Sequence, residues 1–189
     1  ADLGKYFNAP YSYEWARGYM AESCISDWEL DSADFMAFIE GQYNLNKKLI
    51  NSPANNGVFF ADSDAMTTRM YAEQYAKEHG LQGFTCNQLM WSLPDINFKK
   101  IATMADEYTR KSRWDKIYLL RPKGIFVDDH SRFMLHADID ARWSLFQILV
   151  ETIKRSGNWD KVTILDGGYW KNFETIVKDV KEIIENGKN

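Results

Sequence analysis

The stretch Val58-Phe59-Phe60-Ala61-Asp62-Ser63-Asp64-Ala65-Met66-Thr67-Thr68 decides how this chain folds. Its apolar run has no polar alternation, the pattern of a central parallel strand covered on both faces, and Asn55-Asn56-Gly57 ahead of it is turn chemistry. The run ends in two aspartates one residue apart, followed by paired threonines. Open α/β sheets take ligands at the carboxyl ends of such strands, so Asp62 and Asp64 fall where a ligand, its phosphates or a magnesium ion would sit. The same residues also fit a plain strand-to-helix turn, with Asp64 as the N-cap of a helix starting at Met66. The motif alone leaves both readings open.

Working outward, three more β-rich runs appear at 11–14, 116–120 and 162–165, each ending beside a charged or turn residue. Helical periodicity lies between and after them, at about 35–51, 66–78, 98–112, 137–156 and 169–186. Strands alternating with helices of this length imply right-handed crossovers and a mostly parallel sheet, hence a three-layer α/β domain. The last helix gathers Phe173, Ile176, Val177, Val180, Ile183 and Ile184 on one face, and the preceding one gathers Trp143, Phe146, Leu149, Val150 and Ile153. Arg142 falls off that stripe near the helix start and is free to point at a ligand. No repeat or linker divides the chain, so residues 1–189 read as one domain. Leu3, Tyr6 and Phe7 look like the end of an amphipathic helix, from which we expect a chain that begins inside a domain.

At 189 residues such a domain buries roughly 70% of the surface its unfolded form would expose and needs no staple. A net charge of -4, spread without blocks, argues against a nucleic-acid surface, which would carry a basic stripe. The two cysteines, Cys24 and Cys86, have no metal-ligand spacing and read as packing residues. With no signal peptide and no long apolar run, the expectation is a reduced, cytoplasmic protein without a membrane segment.

Four segments carry chemistry. In Tyr13-Glu14-Trp15-Ala16-Arg17-Gly18-Tyr19 a strand ends in a carboxylate, which can take a proton from a substrate hydroxyl, and nearby rings can hold a planar base. A simple Glu14–Arg17 salt bridge in a packed turn fits equally. The second segment is 62–68. The third, Phe126-Val127-Asp128-Asp129-His130-Ser131-Arg132, supplies an arginine able to cover a transferring phosphoryl group, or is an exposed charged loop. His130 has no nucleophile or metal ligand to pair with and reads as a surface residue. The fourth is Asp138, Asp140 and Arg142, which either caps and charges the following helix or adds Arg142 to the same lid, about residues 121–142.

In order and approximate spacing, Glu14-x-x-Arg17-x-Tyr19, Asp62-Ser63-Asp64-x-x-Thr67-Thr68 and Val127-Asp128-Asp129-x-x-Arg132 resemble the ribosylnicotinamide kinase domain of bacterial NadR-type proteins. The resemblance covers essentially the whole chain. It implies a P-loop kinase fold and phosphoryl transfer from ATP, with Mg2+, to the 5′-hydroxyl of nicotinamide riboside, giving nicotinamide mononucleotide for NAD salvage. Glu14 is then the first candidate to orient or deprotonate that hydroxyl and Asp62 the second, with Asp62 also a candidate magnesium ligand. Asp64 would bind the ribose hydroxyls or the metal's waters. Tyr13, in the place of a family Trp, would hold the nicotinamide with Trp15, Arg17 and Tyr19. Tyr43 is the nearest match to a further family ring between residues 35 and 46. Arg132 and Arg142 would close over the phosphates. Phe126 and His130 stand where the family has Trp and Gly.

No GxxxxGK[ST] loop occurs in the sequence, although that loop normally cradles the phosphates. The expectation is a kinase domain lacking its first strand and phosphate loop, inactive by itself, whose unpaired sheet edges invite self-association. Two other functions fit the same motifs: a P-loop kinase for a different nucleoside or nucleotide, and a nucleotide-sensing module without catalysis.

Overall fold

The computed structural model describes residues 1–82, 96–123 and 138–187, with the side chains of 78–82 excepted. Arg132, Cys86 and most of the expected lid lie outside these residues.

The four anticipated strands are present as β1 (Tyr11–Ser12), β2 (Phe60–Ala61), β3 (Ile117–Leu120) and β4 (Val162–Leu165). All described pairing is parallel, but it forms two separate ladders. β1 pairs with β2, Tyr11 opposite Phe60, and β3 pairs with β4, Ile117 opposite Val162 through Leu120 opposite Leu165. Among the described residues β2 and β3 each have one ladder neighbour. The helices are α1 (Asp2–Phe7), α2 (Trp15–Ser23), α3 (Ser32–Ile50), α4 (Ala65–Gln82), α5 (Phe98–Lys111), α6 (Ile139–Arg155) and α7 (Tyr169–Asn186). α3 starts three residues before the periodicity does, because Asp31 and Asp34 form a reciprocal capping box there.

Side-chain parity along β3 and β4 builds the three layers. Ile117, Leu119 and Val162 point one way, into a cluster with Met66 of α4 and Ile153 of α6. Tyr118 and Leu165 point the other way, onto Ile176 and Val180 of α7 with Leu3 and Phe7 of α1. The period of two along a strand makes this two-sided burial possible. A third cluster, around Phe35, Phe38 and Ile39 of α3, Ala72 and Tyr75 of α4 and Ile101 and Ala105 of α5, forms the floor beside β1 and β2. α4 packs on α3, α5 and α6, and so joins the two halves. Its Arg69, 8% exposed, pairs with Asp106 of α5 and lies 5.9 Å from the Phe98 ring centroid.

Two expectations change. Cys24 is exposed and closes α2 in the left-handed region at φ 53, so it is not a packing residue. Trp143 and Ile183, counted on core faces, are 36% and 37% exposed: on α6 the buried face is turned to Leu145, Ile148, Thr152 and Ile153, and on α7 burial stops at Val180, a turn before Ile183. No helix among the described residues is long and apolar enough to cross a membrane.

Candidate functional site

The carboxyl ends of β1 and β2 lie side by side, and the chain leaves each of them into a helix that starts at the same place. Between α2, α3 and α4 they enclose a cavity of about 610 Å³, counted out to its open mouth. Glu14, Ala16 and Arg17 form one wall, and Ser63, Thr67 and Thr68 form the wall opposite. Leu30, Phe35, Phe38, Tyr71 and Tyr75 make the interior mostly apolar and aromatic, with Asp27 and Gln42 as its other polar groups.

Glu14 lies two residues past the end of β1, extended at the N-cap of α2, and its side chain is 19% exposed. Its carboxylate accepts the Arg17 Nε–H at 2.7 Å, which aims the guanidinium along the same wall. Asp27 opens a 3-10 turn at 27–29 and accepts the Tyr75 hydroxyl at 2.7 Å, bringing α4 against that turn. Among the described lining residues the charged side chains are thus two carboxylates and one arginine, the arginine already paired with a carboxylate.

Asp62 and Asp64 part company. Asp62 is exposed at the end of β2, where its amide donates to the Ser12 carbonyl at 3.2 Å. It faces Tyr11, whose phenol is pushed up by burial and then by the Asp62 charge. Asp64 caps α4: one oxygen accepts the Met66 and Thr67 amides at 3.0 and 3.2 Å and the Thr67 hydroxyl at 3.4 Å. The other accepts the Trp114 indole N–H at 2.9 Å. Burial pushes this carboxyl up, against the pull of those donors. The cap reading of Asp64 is what the geometry displays, and neither aspartate lines the cavity.

The aromatics of the first segment are also spread out. Tyr13 is 54% exposed. Trp15 lays its indole against Gly41 of α3, so close that a Cβ there would meet the ring at 2.2 Å. Tyr19 donates to Asp34 Oδ1 at 2.9 Å, which raises its phenol, and packs edge-on against Phe38 at 5.3 Å. Tyr43 stands against Tyr108 of α5, centroids 4.9 Å apart. None of the four lines the cavity, and the rings that do so from α3 are Phe35 and Phe38.

Arg142, half-buried in the first turn of α6, donates to the Lys123 carbonyl at 3.5 Å, and Asp138 caps that helix. It stands at the ends of β3 and β4 beside a charged group in which Asp166 pairs with Arg121 at 3.1 Å and with Lys123. No group of three or more His, Cys, Asp or Glu side chains gathers as a metal site among the described residues. Magnesium is often held by one or two carboxylates plus a substrate's phosphates while keeping its waters, and the single exposed carboxylate of Asp62 suits that mode.

Asp27, Gln42, Tyr75 and the α3 rings escape a motif-based reading. Gln42 left a signal: Phe35, Phe38, Ile39, Gln42 and Asn46 share one helical stripe, all 5% exposed or less, and two of the five are amides. Buried polar residues on an apolar stripe are the informative ones.

Comparison with known proteins fits this geometry. A family model described as an AAA domain matches residues 1–171. Two solved structures of NadR protein, one in complex with NAD and AMP-PNP and one in complex with NR, each align with 96% of the chain at 30% identity and a TM-score of 0.75. The chain spans 44% of the length of each. Comparison with curated proteins found no match. The chain therefore belongs to this AAA-domain family, and it is NadR-like over nearly its whole length.

Proposed function

We propose that the protein transfers the γ-phosphoryl group of ATP to the 5′-hydroxyl of nicotinamide riboside. One observation carries this reading: the cavity at the joined ends of β1 and β2 has a carboxylate–arginine pair at its wall and an aromatic interior with a second carboxylate. A neighbour solved in complex with NR supports the choice of nucleoside.

In this reading the planar base enters against Phe35 and Phe38, where stacking and the Asp27 charge suit a cationic ring. Glu14 takes the hydroxyl proton, and Arg17 holds the carboxylate and faces the developing negative charge. Asp62, at the neighbouring strand end outside the cavity lining, is the second candidate for that proton and the candidate magnesium ligand. Asp64 serves by fixing where α4, and with it Thr67 and Thr68, begins. Arg142, and Arg132 outside the described residues, would neutralise the phosphates; protein-supplied positive charge of this kind is a main source of phosphoryl-transfer catalysis. Magnesium bound with ATP would supply charge neutralisation at the transferred group.

The test is product formation by the full-length protein with ATP, magnesium and a panel of nucleosides. Nicotinamide riboside should give nicotinamide mononucleotide with the highest kcat/KM. Preference for a purine or pyrimidine nucleoside would replace the substrate, and ligand binding without turnover of any nucleoside would replace catalysis with sensing.

A further inference from the structure

We infer that Gln42 is the positioning residue for Glu14, an inference that rests on the proposed role of Glu14 in phosphoryl transfer. Two peptide planes flank the Glu14 Cα, and between them they set its φ and ψ. Gln42 holds one atom of each. Its Oε1 accepts the Trp15 N–H at 2.8 Å, and its Nε2 donates to the Tyr13 carbonyl at 3.2 Å. With both planes pinned, the Cα–Cβ bond of Glu14 has a fixed direction relative to α3, and the Arg17 bond then settles the carboxylate at the cavity wall.

The clamp is itself held. Gln42 is 2% exposed, and its Nε2 also reaches Asn46 Oδ1 at 3.0 Å and Ser12 Oγ at 3.5 Å, with Asn46 and Ser12 5% and 0% exposed. Nε2 has two hydrogens, matched by its two nearer acceptors, Asn46 Oδ1 and the Tyr13 carbonyl; turning the amide over would set Oε1 against those oxygens and leave the Trp15 N–H facing a donor. The bond to Trp15 does a second job: that amide opens α2 and has no acceptor within the helix, so a side chain 27 residues away caps it. The residue before Gln42 completes the seat. Gly41 leaves the indole of Trp15 a notch that no Cβ would fit. Residues 41 and 42 thus fix both the backbone and the side chain of the residue following Glu14.

The experiment compares full-length wild-type protein with Gln42→Met, which keeps length and apolar volume but cannot bridge two peptides, and with Gly41→Ala, which displaces Trp15 while leaving the amide. A misplacement near 1 Å can cost about 100-fold in rate. Each variant should therefore lose roughly 10- to 100-fold in kcat for nicotinamide riboside, with KM for ATP unchanged and each folded molecule still binding one nucleoside. A kcat that falls only in proportion to the folded fraction, or a kcat unchanged in Gly41→Ala should Gln42→Met not fold, overturns the positioning role while leaving the kinase reading intact. A wild-type protein that phosphorylates no nucleoside overturns both.

Discussion

The indole N–H of Trp114 donates to Asp64 Oδ2 at 2.9 Å, joining the segment before β3 to the start of α4 across 50 residues of chain. Because the other Asp64 oxygen caps α4, one carboxylate sets both where that helix begins and how it meets the second ladder. Asp64→Ala should cost about 1–2 kcal/mol, the usual range for a lost N-cap. In a protein of this size that lowers the melting temperature by several degrees, at about 2–4 °C per kcal/mol. Trp114→Phe should lower it too, and the double variant by less than the sum, since the two share a bond.

The same carboxyl predicts a pH dependence. Burial raises it above the ordinary value of 3.8, so the folded form holds its proton more tightly than the unfolded form. The associated stability is fully present below the unfolded value and is lost as pH rises through the folded one. Asp64→Asn, neutral throughout, should flatten the fall of stability with rising pH above about pH 4, measured by urea unfolding at a series of pH values.

Asp166 should behave in the opposite sense. Lys123 first, and then Arg121, holds its carboxyl below the ordinary range. The stability this brings is present above the unfolded value and disappears as pH falls through the folded one. Asp166→Asn should therefore differ from wild type near neutral pH and converge on it in strong acid. The whole group is exposed, so the difference should be small and should shrink further in 0.5 M salt.

For the chemistry, Glu14→Gln should reduce kcat for nicotinamide riboside by roughly 100- to 10,000-fold, the usual contribution of a positioned acid or base. The melting temperature should barely move, because the amide oxygen still accepts from Arg17. A comparable loss in Asp62→Asn with Glu14→Gln near wild type would reassign the proton acceptor.

For the base, Asp27→Asn and Tyr75→Phe should weaken nicotinamide riboside while sparing a neutral isostere in which a benzamide replaces the pyridinium. Titration calorimetry with the two nucleosides reads the ratio directly. Equal weakening of both would show that Asp27 supports the cavity without reading its charge.

Much of this molecule could be read from residue order. Strand positions followed from short apolar or β-rich runs, and the helices from periodicities too long for a strand. What could not be read was contact. Tyr43 looked like a ring for the ligand, and only the packing of α5 shows that Tyr108 takes it. Glu14 and Arg17 do meet, at one wall of the cavity, because both partners lie within one turn of chain. Asp27 and Tyr75 meet across 48 residues, and Gln42 meets Trp15 across 27. Such pairings come from how three helices cross, which no local pattern encodes.

The division into two ladders has a bearing on how such a protein changes its substrate. The described lining residues of the cavity all fall between 14 and 75, on the β1–β2 side, while Arg121, Lys123, Arg142 and Asp166 cluster at the ends of β3 and β4. Among the described residues no strand hydrogen bond is shared between the two halves; they meet through packing along α4 at Met66 and Met70, through Val58 and Phe60 in one cluster with Leu165 and α7, and through Trp114, which bonds Asp64 and stacks on Phe59. Methionine tolerates repacking better than a branched or aromatic side chain does. In the proposed kinase, substitutions in the base cavity should therefore leave the register of the other ladder, and the charged strand ends beside α6, in place.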